Sequence, residues 1–332
     1  MIRTSHYLFA ALCLGSLFAC SRQFTDSYIV PKWCFAVFML FIVLAYEAVN
    51  ILFYRQNEQK DTRISVYGFI IVISCFLQAM FGVVQFFGFF QISTTLWVTG
   101  SFDNPAGFAA CLCAGFPFVG FLLSDSNKYI RYVGGLIGFV IVIAVILSQS
   151  RAGIMSIAFI CFILLNMKFF HKRWVKYLSL LCFALLLSGC YWMKKDSADG
   201  RLLIWRCSVS MVKDAPWLGH GIGSFEARYM DYQADYFRQY GLNRYSMLAD
   251  NVKHPFNEYL GVLLNFGFVG LLMILALITL LIYCYKKHPC AEKRIAFYSL
   301  ISIGVFSFFS YTFTYPFTWI VTFLCIIILT NI

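Results

Sequence analysis

Ten apolar runs punctuate the chain, most of them near the ~20 residues needed to cross a bilayer core. They cover roughly His6 to Ala19, Trp33 to Phe53, Ile64 to Phe90, Ala106 to Leu123, Ile130 to Leu147, Gly153 to Phe169, Tyr177 to Trp192, Asn257 to Tyr285, Ile295 to Tyr311 and Phe317 to Ile332. Each predicts a transmembrane helix, and Ile130 to Phe169 also reads as one broken element. Between the seventh and eighth runs, Met193 to Lys253 mixes charge, glycine and aromatic residues as a folded, water-facing segment does, and His254-Pro255-Phe256-Asn257-Glu258 closes it. The pattern predicts an all-α, polytopic membrane protein of about ten transmembrane helices with one large outer helical loop. Helices one to seven fall in residues 1–192, the loop in 193–253 and helices eight to ten in 254–332.

Composition agrees with the pattern. A chain of 332 residues that is 61% hydrophobic and 12% charged, with a mean hydropathy of +0.76, has too few charges for the surface of a soluble globule. The first run ends in Leu17-Phe18-Ala19-Cys20, which is similar to a lipoprotein cleavage box. Phe18 stands where such boxes prefer a small residue and more apolar runs follow, so a first transmembrane helix is the favoured reading. Most of the thirteen cysteines lie inside apolar runs, where a thiol behaves as a small hydrophobe. No CxxC or Cys/His spacing suggests a structural metal.

The net charge of +11 is a matter of topology rather than of nucleic acid. With a cytoplasmic N-terminus, fourteen basic residues fall on inner segments: Arg3; Arg55, Lys60 and Arg63; Lys128 and Arg131; Lys168, Lys172, Arg173 and Lys176; Lys286, Lys287, Lys293 and Arg294. The short outer connections carry three, Arg22, Lys32 and Arg151, and the remaining nine lie in the insert, which crosses regardless of charge. In this register Asp103-Asn104, Arg151, the insert, His254 and the Tyr311-Pro316 turn all face outward, so a site at the outer membrane surface is expected.

Within that face, Arg151 follows Ser148-Gln149-Ser150 with almost no loop around it. An interfacial arginine of this kind anchors to lipid phosphate or forks onto the phosphate oxygens of a ligand. Apolar residues at 202, 203, 205 and 209 predict a helix with one buried face and Arg201 in its first turn, after a turn-rich stretch 194–200. Arg206 points elsewhere and reads as a solvated surface residue. Pro216 to Phe225 carries a GxGxG spacing, but no βαβ pattern surrounds it, so it reads as a glycine-rich turn feeding a helix, whose N–H groups are candidates to face an anion. Tyr229, Tyr232, Tyr236 and Tyr240 recur at helical spacing, a stripe suited to the bilayer surface or to stacking on sugar rings. Pro255 predicts a helix start with His254 at its N-cap, where the positive dipole end favours a neutral imidazole able to act as a base; contact with Glu258 pushes the other way.

Arg151 in Ser-Arg-Ala-Gly, Arg201 in Gly-Arg-Leu-Leu-Ile-Trp, the Pro216-to-Phe225 run and His-Pro-Phe-Asn-Glu-Tyr-Leu followed by Gly-Phe-Val-Gly-Leu together resemble the O-antigen ligase and polymerase superfamily over roughly Gly100 to Leu272. The chain departs from that pattern at His254-Pro255, where the family has His-Asn and this sequence displaces the Asn to Asn257, and it is a helix or two shorter than the longer members. The resemblance implies a multi-pass protein of the bacterial inner membrane with its site facing the periplasm. Its partners are an undecaprenyl-diphosphate-linked glycan donor, the bilayer and an acceptor hydroxyl. The acceptor is lipid A-core in a ligase, a second carrier-linked glycan in a polymerase or a protein in an O-oligosaccharyltransferase. Arg151 and Arg201 then hold the diphosphate and His254 takes the acceptor proton, with Asn104, Gly221, Gly223, Asn257 and Glu258 as supporting candidates. Neither a metal nor another cofactor is expected. A transporter, the rival class, predicts ionisable residues at mid-membrane or an inverted repeat; Glu47 is the one acidic residue well inside a run, near its end, and no repeat is visible.

Overall fold

A computed structural model describes residues 2–53, 60–89, 98–168, 173–193 and 195–331; Arg55, Lys172 and Lys194 lie outside these. Every regular element among them is helical. In chain order the helices are α1 (Ile2–Phe18), α2 (Ile29–Phe53), α3 (Lys60–Phe86), α4 (Pro105–Gly115), α5 (Val119–Leu123), α6 (Lys128–Leu147), α7 (Arg151–Lys168), α8 (Arg173–Met193), α9 (Lys195–Asp214), α10 (Ser224–Tyr240), α11 (Glu258–Lys287), α12 (Ala291–Phe309) and α13 (Pro316–Asn331).

Among the described residues each of the ten apolar runs is mainly helical, the fourth as the pair α4 and α5 around a 3-10 turn at Phe116–Phe118. Pro117 in that turn has no N–H to continue the α-helical ladder. Five stretches are long and apolar enough to cross a membrane, Ile29–Val49, Ile64–Phe86, Pro105–Leu123, Lys128–Leu147 and Glu258–Lys287, with shorter apolar helices beside them in the sequence. The chain is an all-α, polytopic membrane protein. Ile130 to Phe169 is two helices, α6 and α7, broken where Gln149 takes a left-handed φ of 52°.

The chain forms two compact units. The first contains residues 1–160, 284–306 and 312–332. Hydroxyls and small residues hold it together: Ser299 donates to the Ala114 carbonyl and Ser302 to that of Cys113, both at 2.7 Å, and a Cβ on Gly115 would lie 2.2 Å from Cys75 Sγ. Close backbone approach with polar cross-links is how helices associate where lipid removes the hydrophobic drive. Lys32 departs from its reading as part of an outer connection. It is fully buried in the first turn of α2, donating to the carbonyls of Ala19 at 3.0 Å and Ser101 at 2.8 Å, with its ammonium 4.9 Å from the Phe102 ring centre. The Ala19 carbonyl lies just beyond the end of α1, where backbone acceptors lack helical partners.

The second unit contains residues 161–283 and 307–311. Its core joins Leu203, Ile204, Cys207 and Met211 of α9 to Phe225 and Tyr229 of α10, Tyr245, and Leu260 and Leu264 of α11. Three expectations are corrected here. The stretch after Lys194 is helical from Lys195, so Arg201 lies about two turns into α9 rather than in its first. The buried face of that helix is 203/204/207/208/211, and Leu202 and Val209 are exposed. The tyrosine stripe turns inward: Tyr229 is buried and Tyr232 and Tyr236 pack on this core, leaving Tyr240 as its exposed end.

Candidate functional site

In the second unit α9 brings Arg201 to the end of α12. Its Nη1 donates to the Phe309 carbonyl at 2.5 Å, a last-turn acceptor at the negative end of a helix dipole, which suits a cation. The same guanidinium lies 4.9 Å from the centre of the Phe256 ring. One turn along α9, Trp205 Nε1 donates to the Pro255 carbonyl at 2.9 Å. Arg201 and Trp205 together fix the segment that carries His254.

That segment is not the start of a helix. α11 begins at Glu258, and its cap is Asn257, whose Oδ1 accepts from Leu260 N–H at 3.0 Å and whose carbonyl accepts from Gly261 N–H at 3.0 Å. The expectation that His254 occupies the N-cap fails because Phe256 adopts a left-handed φ of 52°, which ends any helical path from Pro255. Among the described residues the two non-glycine residues at positive φ, Gln149 and Phe256, each lie two positions from a candidate site residue.

The His254 imidazole is half-buried and stacks on Tyr311, with ring centres 4.6 Å apart and planes 23° from parallel. Phe256 meets the same tyrosine edge-on at 5.4 Å. A run of contacts therefore links Arg201, Phe256, Tyr311 and His254, and it orients both a cation and an imidazole. Glu258, at the first position of α11, is half-buried. Arg206 is exposed, 3.4 Å from the Tyr236 hydroxyl and over the Tyr245 ring, and takes no part in the run.

Gly221 and Gly223 lie exposed in the turn before α10 at φ of 89° and 80°. Gly221 N–H donates to the Asn265 carbonyl at 3.1 Å and His220 N–H to that of Leu264 at 2.7 Å. On the other side of Gly267, Phe268 and Val269 donate to the carbonyls of Pro216 and Trp217. The glycine-rich turn is stitched to a break in α11. His220 is held inside it, its Nδ1 accepting from Arg228 Nη1 at 3.0 Å and its Nε2–H donating to the Met211 carbonyl at 2.7 Å.

Two candidates belong to the first unit. Arg151, half-buried, opens α7 directly after Ser150, whose carbonyl and Oγ accept from Ile154 and Gly153. Asn104 caps α4 through a 3.0 Å bond from Gly107 N–H, accepts from the Tyr315 hydroxyl and donates to Asp103 Oδ2. Burial holds the Asp103 carboxyl above the usual carboxylate range, and its Oδ1 is buried with no hydrogen-bond partner. Sequence reasoning passed over Tyr311, Phe256 and Trp205 as site-builders. The one available signal was the aromatic Tyr311-to-Pro316 turn, far in the chain from His254.

Residues 136–275 match the family model described as O-antigen ligase. No curated protein matches the chain. The matched stretch contains Arg151, Arg201, the glycine-rich turn and the His254-to-Glu258 segment, and it supports the resemblance to the O-antigen ligase superfamily.

Proposed function

We propose that the chain moves a glycan from undecaprenyl diphosphate to an acceptor hydroxyl, that of lipid A-core or a similar acceptor, at the periplasmic face of the bacterial inner membrane. The family match supports a glycosyltransferase of the O-antigen ligase and polymerase type. The observation that carries the finer reading is the braced run from Arg201 to His254, which sets an anion-binding fork and an imidazole on one aromatic scaffold.

In this reaction the acceptor oxygen forms the bond to the anomeric carbon as its proton passes to the His254 imidazole. The carbon–oxygen bond to the diphosphate breaks, and the electron pair leaves with the phosphate oxygen. Arg201 and Arg151 take up the negative charge that develops there. The Phe309 carbonyl engages one N–H of Arg201 and the guanidinium lies over the Phe256 ring, so the fork is held before the charge appears. Diphosphate is a good leaving group, and no step is assigned to a metal.

The test is transfer from purified carrier-linked donor by the full chain in lipid nanodiscs, with and without EDTA. His254→Ala removes a base and should lower the rate ~100- to 10,000-fold. It also removes the stacking on Tyr311, an aromatic pair of about 0.5–1.5 kcal/mol, so the thermal midpoint is measured beside the rate. His220→Ala breaks the bridge between Met211 and Arg228, so it should lower the thermal midpoint while keeping the rate per folded molecule. EDTA should leave the rate unchanged. A His254→Ala protein that turns over at close to the wild-type rate sinks the mechanism.

A further inference from the structure

The turn from Pro216 to Ile222 carries the exposed apolar side chains Trp217 (69%), Leu218 (75%) and Ile222 (84%), with no charged residue between them. Such residues in a water-facing loop are an unfavourable surface unless something apolar covers them.

The place of the turn along α11 says what covers it. α11 has thirty residues and is a candidate membrane span, but Gly267 interrupts it with φ 63° and ψ −159°. From Gly267 to the closing pair Lys286 and Lys287 is about 20 residues, which at 1.5 Å per residue gives about 30 Å, the thickness of a bilayer's hydrocarbon core. With the two lysines at one interface, Gly267 lies at the other. The turn is bonded to α11 on both sides of that residue, through His220 and Gly221 to residues 264 and 265 and through Pro216 and Trp217 to residues 268 and 269.

The backbones touch so closely that the turn cannot sit elsewhere. A Cβ on Gly267 would be 2.3 Å from the Trp217 carbonyl, and one on Gly219 would be 2.6 Å from the backbone of Asn265 and Phe266. Trp217 also meets Phe268 at a ring separation of 6.1 Å, beside the exposed Leu272 and Met273 of the apolar helix face. The apolar patch therefore continues the exposed apolar face of a candidate membrane span. Tryptophan is the side chain favoured at that depth, its ring apolar and its N–H able to meet headgroups. Exposed Arg228, bonded to His220, is a long cationic side chain beside the turn of the kind that reaches toward headgroups.

We infer that the Pro216–Ile222 turn is a membrane-dipping anchor, with Trp217, Leu218 and Ile222 inserted among lipid acyl chains at the end of α11 opposite Lys286 and Lys287. The anchor ties the second unit's α9–α10 core to a fixed depth in the bilayer, and it holds whichever acceptor the protein uses.

The experiment reconstitutes the full chain in vesicles of ordinary phosphatidylcholine, or of phosphatidylcholine brominated either next to the headgroup or near the chain end. Trp217 is one of seven tryptophans, so its signal is taken as the difference between wild type and Trp217→Phe, which keeps the ring contact with Phe268. The Trp217 component should be blue-shifted, lose about half or more of its intensity in the headgroup-proximal bromolipid and lose less in the other, as for an indole at the interface. Leu218→Asp with Ile222→Asp should shift that component to the red and weaken the quenching. A component quenched by aqueous iodide instead places the turn in water, and one quenched by neither places it under protein; either result overturns the anchor.

Discussion

At Arg201 the guanidinium does three things that an ammonium cannot do together: it donates to Phe309, lies over the Phe256 ring and presents a planar fork. Arg201→Lys keeps the charge and loses the geometry. A hydrogen bond to a charged group contributes about 1.5–3 kcal/mol, so transfer by Arg201→Lys should fall roughly 10- to 100-fold, and by a similar factor for Arg151→Lys. Arg206→Lys, altered at an exposed residue outside the run, should stay within about twofold of wild type. Equal activity in all three lysine variants would remove the diphosphate clamp. Both arginines and the histidine stand out in the sequence as candidates because charge and short polar neighbours are rare in so apolar a chain. The residues that brace them do not, because Phe256, Tyr311 and Trp205 are ordinary apolar residues until the fold stacks them, and nothing in the sequence pairs position 254 with position 311.

Helices were the easiest level to read from sequence and helix ends the hardest. Span length is set by bilayer thickness, so an apolar run of the right length declares itself. An N-terminus depends on local competition. Proline suits a first helical turn, but it equally suits extended chain ahead of one, and the left-handed Phe256 passes the cap to Asn257. Periodicity identified the tyrosine stripe of α10 without saying what covers it, since a protein core and a bilayer produce the same 3.6-residue pattern. The break in α11 offers a sharper test at this scale. Gly267 occupies a backbone region that is essentially restricted to glycine and lies against Trp217, so Gly267→Ala combines a strain cost of about 1–3 kcal/mol with a clash and should lower the thermal midpoint. Gly189→Ala meets open space within α8, where alanine is about 0.5–1 kcal/mol better than glycine in a helix, so its midpoint should hold or rise. A midpoint for Gly267→Ala no lower than that of Gly189→Ala would mean that the stitched turn contributes nothing to the fold.

For the whole chain, orientation decides whether the donor proposed above, presented on the periplasmic side, can reach Arg201 and His254. The charge argument becomes stronger once Lys32 is seen to be fully buried, because an ammonium bonded to two carbonyls inside the protein is no longer a loop charge. Lys293, also buried and donating to the Cys284 carbonyl, leaves the inner count by the same criterion, so the short connections expected to face outward present Arg22 and Arg151 against thirteen basic residues expected inside. Asp199, in the insert, is a poor reporter because it is buried in α9, whereas Leu242 is 89% exposed just after α10 and His288 lies exposed after α11. A site-specific protease sequence inserted after Gly241, or in a second protein after His288, disturbs no buried contact. Protease added to spheroplasts should cut the first protein and spare the second, and detergent should expose both to cleavage. If the second is cut and the first spared, the second unit faces the cytoplasm, and a periplasmic donor is excluded whatever His254 does to a proton.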